Sequence, residues 1–175
     1  MKLPLLLVLM LAGATGALAM DAATPAQRLA ALGLTLPAVP ASVANYVPAV
    51  RSGNLVFLAG QLARHPDGSI IAGKVGADCT TEQAAAAART CALQLIAALQ
   101  AEVGDLAKVR RIVRVGGFVN CTADFTAQPK VLNSASDLLV AVFGDRGRHA
   151  RAAVGVFALP GNAPVEVELV AEIGD

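Results

Sequence analysis

The stretch of residues 151–173, RAAVGVFALPGNAPVEVELVAEI, decides the fold class of this protein. Its last nine residues alternate between apolar and mainly acidic side chains, which is the period of a β-strand with one buried face. The apolar side chains of this strand are those of Val165, Val167, Leu169, Ala171 and Ile173. A second apolar run covers Ala152 to Leu159, so we expect the chain to close on a hairpin of two strands.

Two helices are predicted upstream of this hairpin. Thr80 and Gln83 have the spacing of a capping box, which opens a long amphipathic helix that Gly104 ends. A second helix is predicted from Pro129 to Phe143, with apolar residues at helical spacing. Further strands are predicted at Leu55–Ala59, around Ile70–Ile71 and at Val109–Val119. This order of elements predicts an α+β domain in which the two helices cover one face of a sheet.

Length and charge exclude several classes of protein. The 175 residues suffice for one ordinary domain, which we place at residues 46–175 after an N-terminal segment at residues 20–45. The 14 Lys and Arg nearly balance the 13 Asp and Glu, so no basic field favours a nucleic acid partner. The same composition excludes a collagen, a disordered chain and a membrane protein with several spans.

The first 19 residues have the layout of a secretory signal peptide. Lys2 precedes an apolar run from Leu3 to Ala12, and small residues ending at Ala19 form a cleavage site. We therefore expect an exported, periplasmic protein that has no membrane partner after signal removal. The alternative is a cytoplasmic protein whose translation starts at Met20.

Few residue types in this chain can perform chemistry. It contains no phosphate-binding glycine loop, no zinc-protease motif, no nucleophile elbow and only two histidines. Cys79, Cys91 and Cys121 are an odd number without a Cys-x-x-Cys spacing, so we expect small buried apolar residues rather than a redox pair or a zinc site. Carboxylates, arginines and backbone groups are the remaining candidates, and no metal or cofactor is expected.

The predicted C-terminal hairpin carries the most suggestive polar side chains. Arg151 begins one strand, and Glu166 and Glu168 lie on the other, on the face opposite the apolar one. An arginine can bind a substrate carboxylate through two hydrogen bonds while a glutamate orients water. The alternative interpretation is an exposed cross-strand ion pair, worth about 0.2–1 kcal/mol.

Several motifs along the chain occur in an order that resembles a known family. These motifs are Asn45-Tyr46-Val47, SGNLVFLAGQ at residues 52–61, Thr81-Glu82-Gln83, Asp105-Leu106 before Val109, and Arg151, Pro160 and Val165-Glu166-Val167-Glu168. Together they are similar to the RidA/YjgF family, also called L-PSP or Rid proteins, which are small trimeric enamine/imine deaminases. The resemblance implies a chorismate-mutase-like α+β fold with a mixed sheet of about six strands and a trimeric barrel.

The resemblance also implies a reaction and its residues. Arg151 would hold the carboxylate of a 2-imino or 2-enamino acid, and Glu166 would position the attacking water. Tyr46, Asn133 and Gly60 would line the same pocket. In this family each pocket lies between subunits, so the resemblance implies a homotrimer that hydrolyses its substrate to a 2-keto acid and ammonia without a cofactor.

The chain departs from the family's pattern at several positions. Ala59 and Ala153 stand where the family has serine and cysteine, and His149 replaces a common proline. These departures indicate a divergent branch, so a second hypothesis is kept: a non-catalytic protein of the same fold that binds small carboxylates. A ribonuclease activity is poorly supported, because the mature chain is close to neutral and has few aromatic side chains.

Overall fold

The structure is a computed structural model that describes residues 23–39 and 44–174. The predicted signal peptide at residues 1–19 lies outside this range. The described residues form three helices: α1 (Pro25–Ala31), α2 (Thr81–Val103) and α3 (Gln128–Phe143). Five strands form one sheet: β1 (Ala49–Ser52), β2 (Leu55–Leu62), β3 (Val109–Asn120), β4 (Ala150–Val156) and β5 (Val165–Ile173). Short 3-10 helices occupy Leu106–Lys108, Gly144–Gly147 and Pro160–Asn162.

Capping explains where the first two helices begin. The predicted capping box of α2 is confirmed: the Gln83 backbone N–H donates to Thr80 Oγ1, and the Thr80 N–H donates to Gln83 Oε1. Thr24 and Gln27 make the same pair of bonds at the start of α1. Each box satisfies backbone donors that the first helical turn would otherwise leave unpaired.

The sheet is mixed, with the strand order β1-β2-β5-β3-β4. All neighbouring strands are antiparallel except β3 and β4, which are parallel. Helices α2 and α3 pack on one face of this sheet, as predicted. The core between them is built from apolar side chains that are almost completely buried, including Val56, Leu95, Leu99, Ile112, Val115, Leu132, Leu139, Val167 and Leu169. Leu29 of α1, upstream of the expected domain start, joins the same core.

Helix α2 is long and apolar enough to cross a membrane by length and composition alone. Most of its apolar stretch is buried inside the fold, where it packs against β2, β5 and α3. Its hydropathy therefore reflects its position as the central core helix.

The number and position of the strands differ in part from the prediction. The sheet has five strands rather than about six, because Ile70 pairs with Arg64 only as an isolated bridge. Strand β1 was not predicted, since its four residues are mostly exposed and lack a clear apolar alternation. The helices predicted after Thr80 and at residues 129–143 are confirmed.

The predicted C-terminal hairpin is wrong. Strand β3 lies between β4 and β5, so the two closing strands do not pair with each other. Their connection wraps around the end of β3: the Asn120 N–H donates to Pro164 O on one side and the Cys121 N–H donates to Val156 O on the other. The period of a strand specifies which face each side chain takes, but not which strand lies beside it.

Two adjacent glycines of β3 face opposite sides of the sheet and allow a test of the core. A Cβ at Gly117 would overlap the Leu132 side chain, whereas the three atoms nearest to a Cβ at Gly116 all belong to Glu168 on the other face. We expect Gly117→Ala to lower the free energy of unfolding by about 1–3 kcal/mol through overpacking. Gly116→Ala is the matched control and should cost less, because the Glu168 side chain can move. Chemical denaturation measures both free energies of unfolding, and an equal loss in the two variants would contradict this packing.

Candidate functional site

Arg151 is held against helix α3. It lies on the edge strand β4 in register with Val115, whose side chain is buried toward the helices. Arg151 therefore also extends over the helical face, where its Nη1 donates to Asn133 Oδ1 at 3.1 Å and to Ser136 Oγ at 3.0 Å. Asn133 and Ser136 are three residues apart on α3, so both reach the same guanidinium. The structure thus brings together Arg151 and Asn133, two of the residues expected to line the pocket.

The guanidinium of Arg151 keeps one complete edge for a ligand. An arginine has five N–H donors, and the two on Nη1 are used by Asn133 and Ser136. Its Nε and Nη2 have no hydrogen-bond partner among the residues that the structure describes. These two nitrogens form the side of the fork that binds a carboxylate with two parallel hydrogen bonds.

Glu166 lies on the other face of the sheet. It alternates with the buried Val165 and Val167, which places its side chain away from the helices. A Cβ at Gly60 would overlap the Glu166 carboxylate, so the absence of a side chain at residue 60 leaves room for that carboxylate. Burial, followed by the negative charge of Glu168, raises the pKa of Glu166. A raised pKa means that this carboxyl binds a proton more readily than an exposed one does.

The ion pair on this face differs from the one considered in the sequence analysis. Glu168 Oε1 lies 3.0 Å from Nη1 of Arg114 on β3, not from Arg151. Both side chains are partly exposed, so the pair contributes about 0.2–1 kcal/mol to stability.

Arg151 and Glu166 are far apart within one chain, which corrects the expectation that they share a face. Arg151 is in register with Val115 of β3, whereas Glu166 is in register with Phe118 on the opposite side of β3. The two residues are offset by three positions along the strands, at about 3.3 Å each, and by two strand spacings of about 4.8 Å. Their Cα atoms therefore lie about 14 Å apart. Their side chains also point to opposite faces, so one small substrate cannot contact both in a single subunit.

The sheet face that carries Glu166 is not covered by any helix of the residues that the structure describes. We call it the open face, and its side chains include those of Val50, Phe57, Phe118, Val154, Glu166, Glu168 and Val170. Phe57 and Val154 are each 45% exposed. Tyr46, another expected pocket residue, is 53% exposed and precedes β1, at the opposite edge of the sheet from Arg151.

Ser136 and His149 belong to the surroundings of Arg151 and were not predicted. His149 follows the 3-10 helix Gly144–Gly147, and its Nδ1 lies 2.6 Å from the Gly147 carbonyl oxygen. Its Nε2 lies 3.1 Å from Ser136 Oγ. Burial lowers the pKa of His149, and the nearby charge of Arg151 lowers it further. The hydrogen bond to Gly147 acts in the opposite direction but does not outweigh them. Ser136 gave no signal at the level of sequence, and His149 stood out only as a departure from a proline common in the family.

The three cysteines are free and buried, in line with their predicted role as small apolar residues. Burial strongly raises the pKa of the Cys91 thiol, and it raises that of Cys79 as well. A buried thiol of high pKa is a poor nucleophile. Within residues 23–39 and 44–174, no three His, Cys, Asp or Glu side chains form a group that could hold a metal ion.

Comparison with known proteins identifies the family. A family model described as "YjgF/chorismate_mutase-like, putative endoribonuclease" matches residues 26–173, which is most of the chain. The chain belongs to the YjgF/chorismate-mutase-like family. It is 46% identical over 151 residues to Protein TCP17 of Trypanosoma cruzi, covering 86% of this chain and 94% of that protein.

Solved structures that are similar to this chain confirm the fold. Atu1372 of Agrobacterium tumefaciens, whose function is unknown, is 45% identical with a TM-score of 0.78 and covers 84% of this chain and 91% of its own. A putative endoribonuclease from Shewanella oneidensis is 37% identical with a TM-score of 0.83, and the match covers 86% of this chain and 100% of that protein. RidA from an Antarctic Psychrobacter species is 28% identical with a TM-score of 0.55, and the match covers 77% of this chain and 94% of that protein. The resemblance to the RidA/YjgF family is thereby confirmed.

The electrostatics of the open face in this YjgF-family protein can be tested by titration. Glu168→Gln removes the negative charge next to Glu166, so we expect the pKa of Glu166 to fall. Carboxyl carbon chemical shifts followed by NMR as a function of pH would measure that pKa. Glu172→Gln is the matched control, because Glu172 lies on the same strand but six residues away, at about 20 Å. If the pKa of Glu166 is unchanged in Glu168→Gln, the charge of Glu168 does not contribute to raising it.

Proposed function

We propose that this protein hydrolyses 2-imino and 2-enamino acids to 2-keto acids and ammonia, at sites that lie between the subunits of a homotrimer. The observation that carries the proposal is the Arg151 guanidinium, which α3 fixes so that its Nε and Nη2 edge is left for a carboxylate. A 2-imino acid places its carboxylate one bond from the carbon to be attacked. Binding at Arg151 therefore fixes the position of the reacting carbon.

The reaction requires little from the protein beyond positioning and proton transfer. The protonated imine carbon is already electrophilic, so water adds to it without a covalent enzyme intermediate. Glu166 accepts a proton from that water as the new C–O bond forms, and a proton is returned to the amine nitrogen. As the C–N bond breaks and ammonia leaves, Glu166 takes up the remaining hydroxyl proton, so that the new C–O bond becomes the carbonyl of the 2-keto acid. The raised pKa of Glu166 supports this role, since the carboxyl can both take and return a proton.

The separation of Arg151 and Glu166 supports a site built from two subunits. Within one chain they are about 14 Å apart, on opposite faces of the sheet. A neighbouring subunit that packs on the open face could bring its own Arg151 to Glu166 of the first. The exposed apolar side chains of that face, including Val50 at 54% and Phe57 at 45%, favour such a contact. A cyclic arrangement would repeat the contact around the assembly.

The endoribonuclease activity in the family's description has less support in this chain. Ribonucleases that bind single-stranded RNA combine a basic groove with exposed aromatic side chains. This chain has a formal net charge of +1, five Phe, one Tyr and no Trp. A small anionic substrate fits the observed guanidinium better than a long polyanion does.

Substitution of Arg151 tests the proposal. Imines generated in the assay by a dehydratase are trapped by semicarbazide, and the purified protein should compete with this trapping. We expect Arg151→Ala to reduce kcat/KM by at least about a hundredfold, because two charge-assisted hydrogen bonds are lost. Arg151→Lys keeps the charge but loses the fork, so we expect a loss of about tenfold. Arg89→Ala, an exposed arginine of α2, is the control.

Failure of the folded wild-type protein to compete would contradict the deaminase proposal. Titration with a 2-keto acid then tests the second hypothesis, a non-catalytic protein that binds small carboxylates. Binding that disappears in Arg151→Ala would support that hypothesis, whereas binding that survives in the variant would exclude Arg151 as the carboxylate site.

A further inference from the structure

We propose that Ser136 and His149 are positioning residues that hold the Arg151 guanidinium in the orientation that receives a substrate carboxylate. They form a chain of hydrogen bonds that runs from Arg151 to Ser136, to His149 and to the carbonyl of Gly147. Their part in catalysis rests on the proposed function, whereas their hold on Arg151 does not.

The direction of each hydrogen bond follows from its fixed end. The Gly147 carbonyl oxygen can only accept, so the proton between it and His149 is on Nδ1. In the neutral ring Nε2 then has a lone pair, which accepts the hydroxyl hydrogen of Ser136 at 3.1 Å. The lone pairs of Ser136 Oγ are left to accept from Arg151 Nη1 at 3.0 Å. All three bonds run in one direction, which is the arrangement in which each strengthens the next.

The chemistry of the imidazole ring makes this direction stable. A protonated His149 would donate from both nitrogens and would place a second positive charge beside Arg151. Partial burial of the ring and the charge of Arg151 both favour the neutral form. Ser136 is therefore kept as an acceptor toward Arg151, rather than sharing its lone pairs with a second donor.

The benefit to binding is preorganisation of a flexible side chain. A free arginine samples many rotamers and loses that freedom when it binds a ligand. Asn133 and Ser136 fix Nη1 before any ligand arrives, so that Nε and Nη2 point together in one direction. A side chain ordered in advance loses less entropy on binding. Asn133 alone would hold only one of the two Nη1 hydrogens, and His149 keeps Ser136 in position to hold the other.

The first test measures the guanidinium in the absence of substrate. NMR reports the rate of rotation about the Nε–Cζ bond of Arg151. We expect this rate to rise about tenfold in Ser136→Ala and in His149→Phe, which corresponds to about 1.4 kcal/mol of the barrier. Ser136→Thr keeps the hydroxyl and should restore the slow rotation. Ser134→Ala, two residues away on the same helix, is the matched control and should leave the rate unchanged. An unchanged rate in Ser136→Ala would overturn the assignment.

The second test separates positioning from general stability. In the imine hydrolysis assay, Ser136→Ala and His149→Phe should raise KM about tenfold and change kcat by less than about threefold, because the carboxylate is bound equally in the ground and transition states. An increase in rotation rate without any change in KM would overturn the role in substrate binding. A wild-type protein that hydrolyses no imine would contradict the proposed function alone, and the rotation measurement would still decide whether these residues hold Arg151.

Discussion

The burial of one face of β5 against helix α2 determines where the carboxylates of the candidate site lie. Val165, Val167 and Leu169 are almost completely buried, and each such side chain contributes about 1.5–3 kcal/mol of stabilisation. Because successive residues of a strand alternate between faces, this burial directs Glu166 and Glu168 to the open face. A shift of one residue would bury both carboxylates, so the register of the strand and the place of the glutamates cannot change separately.

Helix α3 has a corresponding double role on the other side of the sheet. Its buried face includes Leu132 and Leu139, which pack into the core. The residues next to that face, Asn133 and Ser136, reach the edge strand and bind Arg151. The helix that stabilises the fold is therefore the rigid element that orients the arginine. A group held by packed secondary structure is positioned more precisely than one on a mobile loop.

Much of the fold was predictable from local patterns, but the way the site is assembled was not. The capping box at Thr80 and the alternation of β5 identified a helix and a strand, because each pattern follows directly from backbone geometry. Strand order depends on contacts between distant segments, which is why the hairpin of β4 and β5 was wrongly expected. The same error placed Arg151 and Glu166 on one face. Ser136 and His149 could not be found from sequence, because their significance depends on a contact across 13 residues.

The most direct test of the central claim is complementation between two inactive variants. Arg151→Ala and Glu166→Gln proteins would be unfolded together, refolded as a mixture and assayed for imine hydrolysis, with each variant refolded alone as the control. If one subunit supplies Arg151 and its neighbour supplies Glu166, random mixing in a cyclic trimer gives intact sites at about a quarter of positions. We therefore predict recovery of about a quarter of the wild-type activity. A mixture that stays inactive, although it assembles and the wild-type protein is active after the same treatment, would contradict a site shared between subunits.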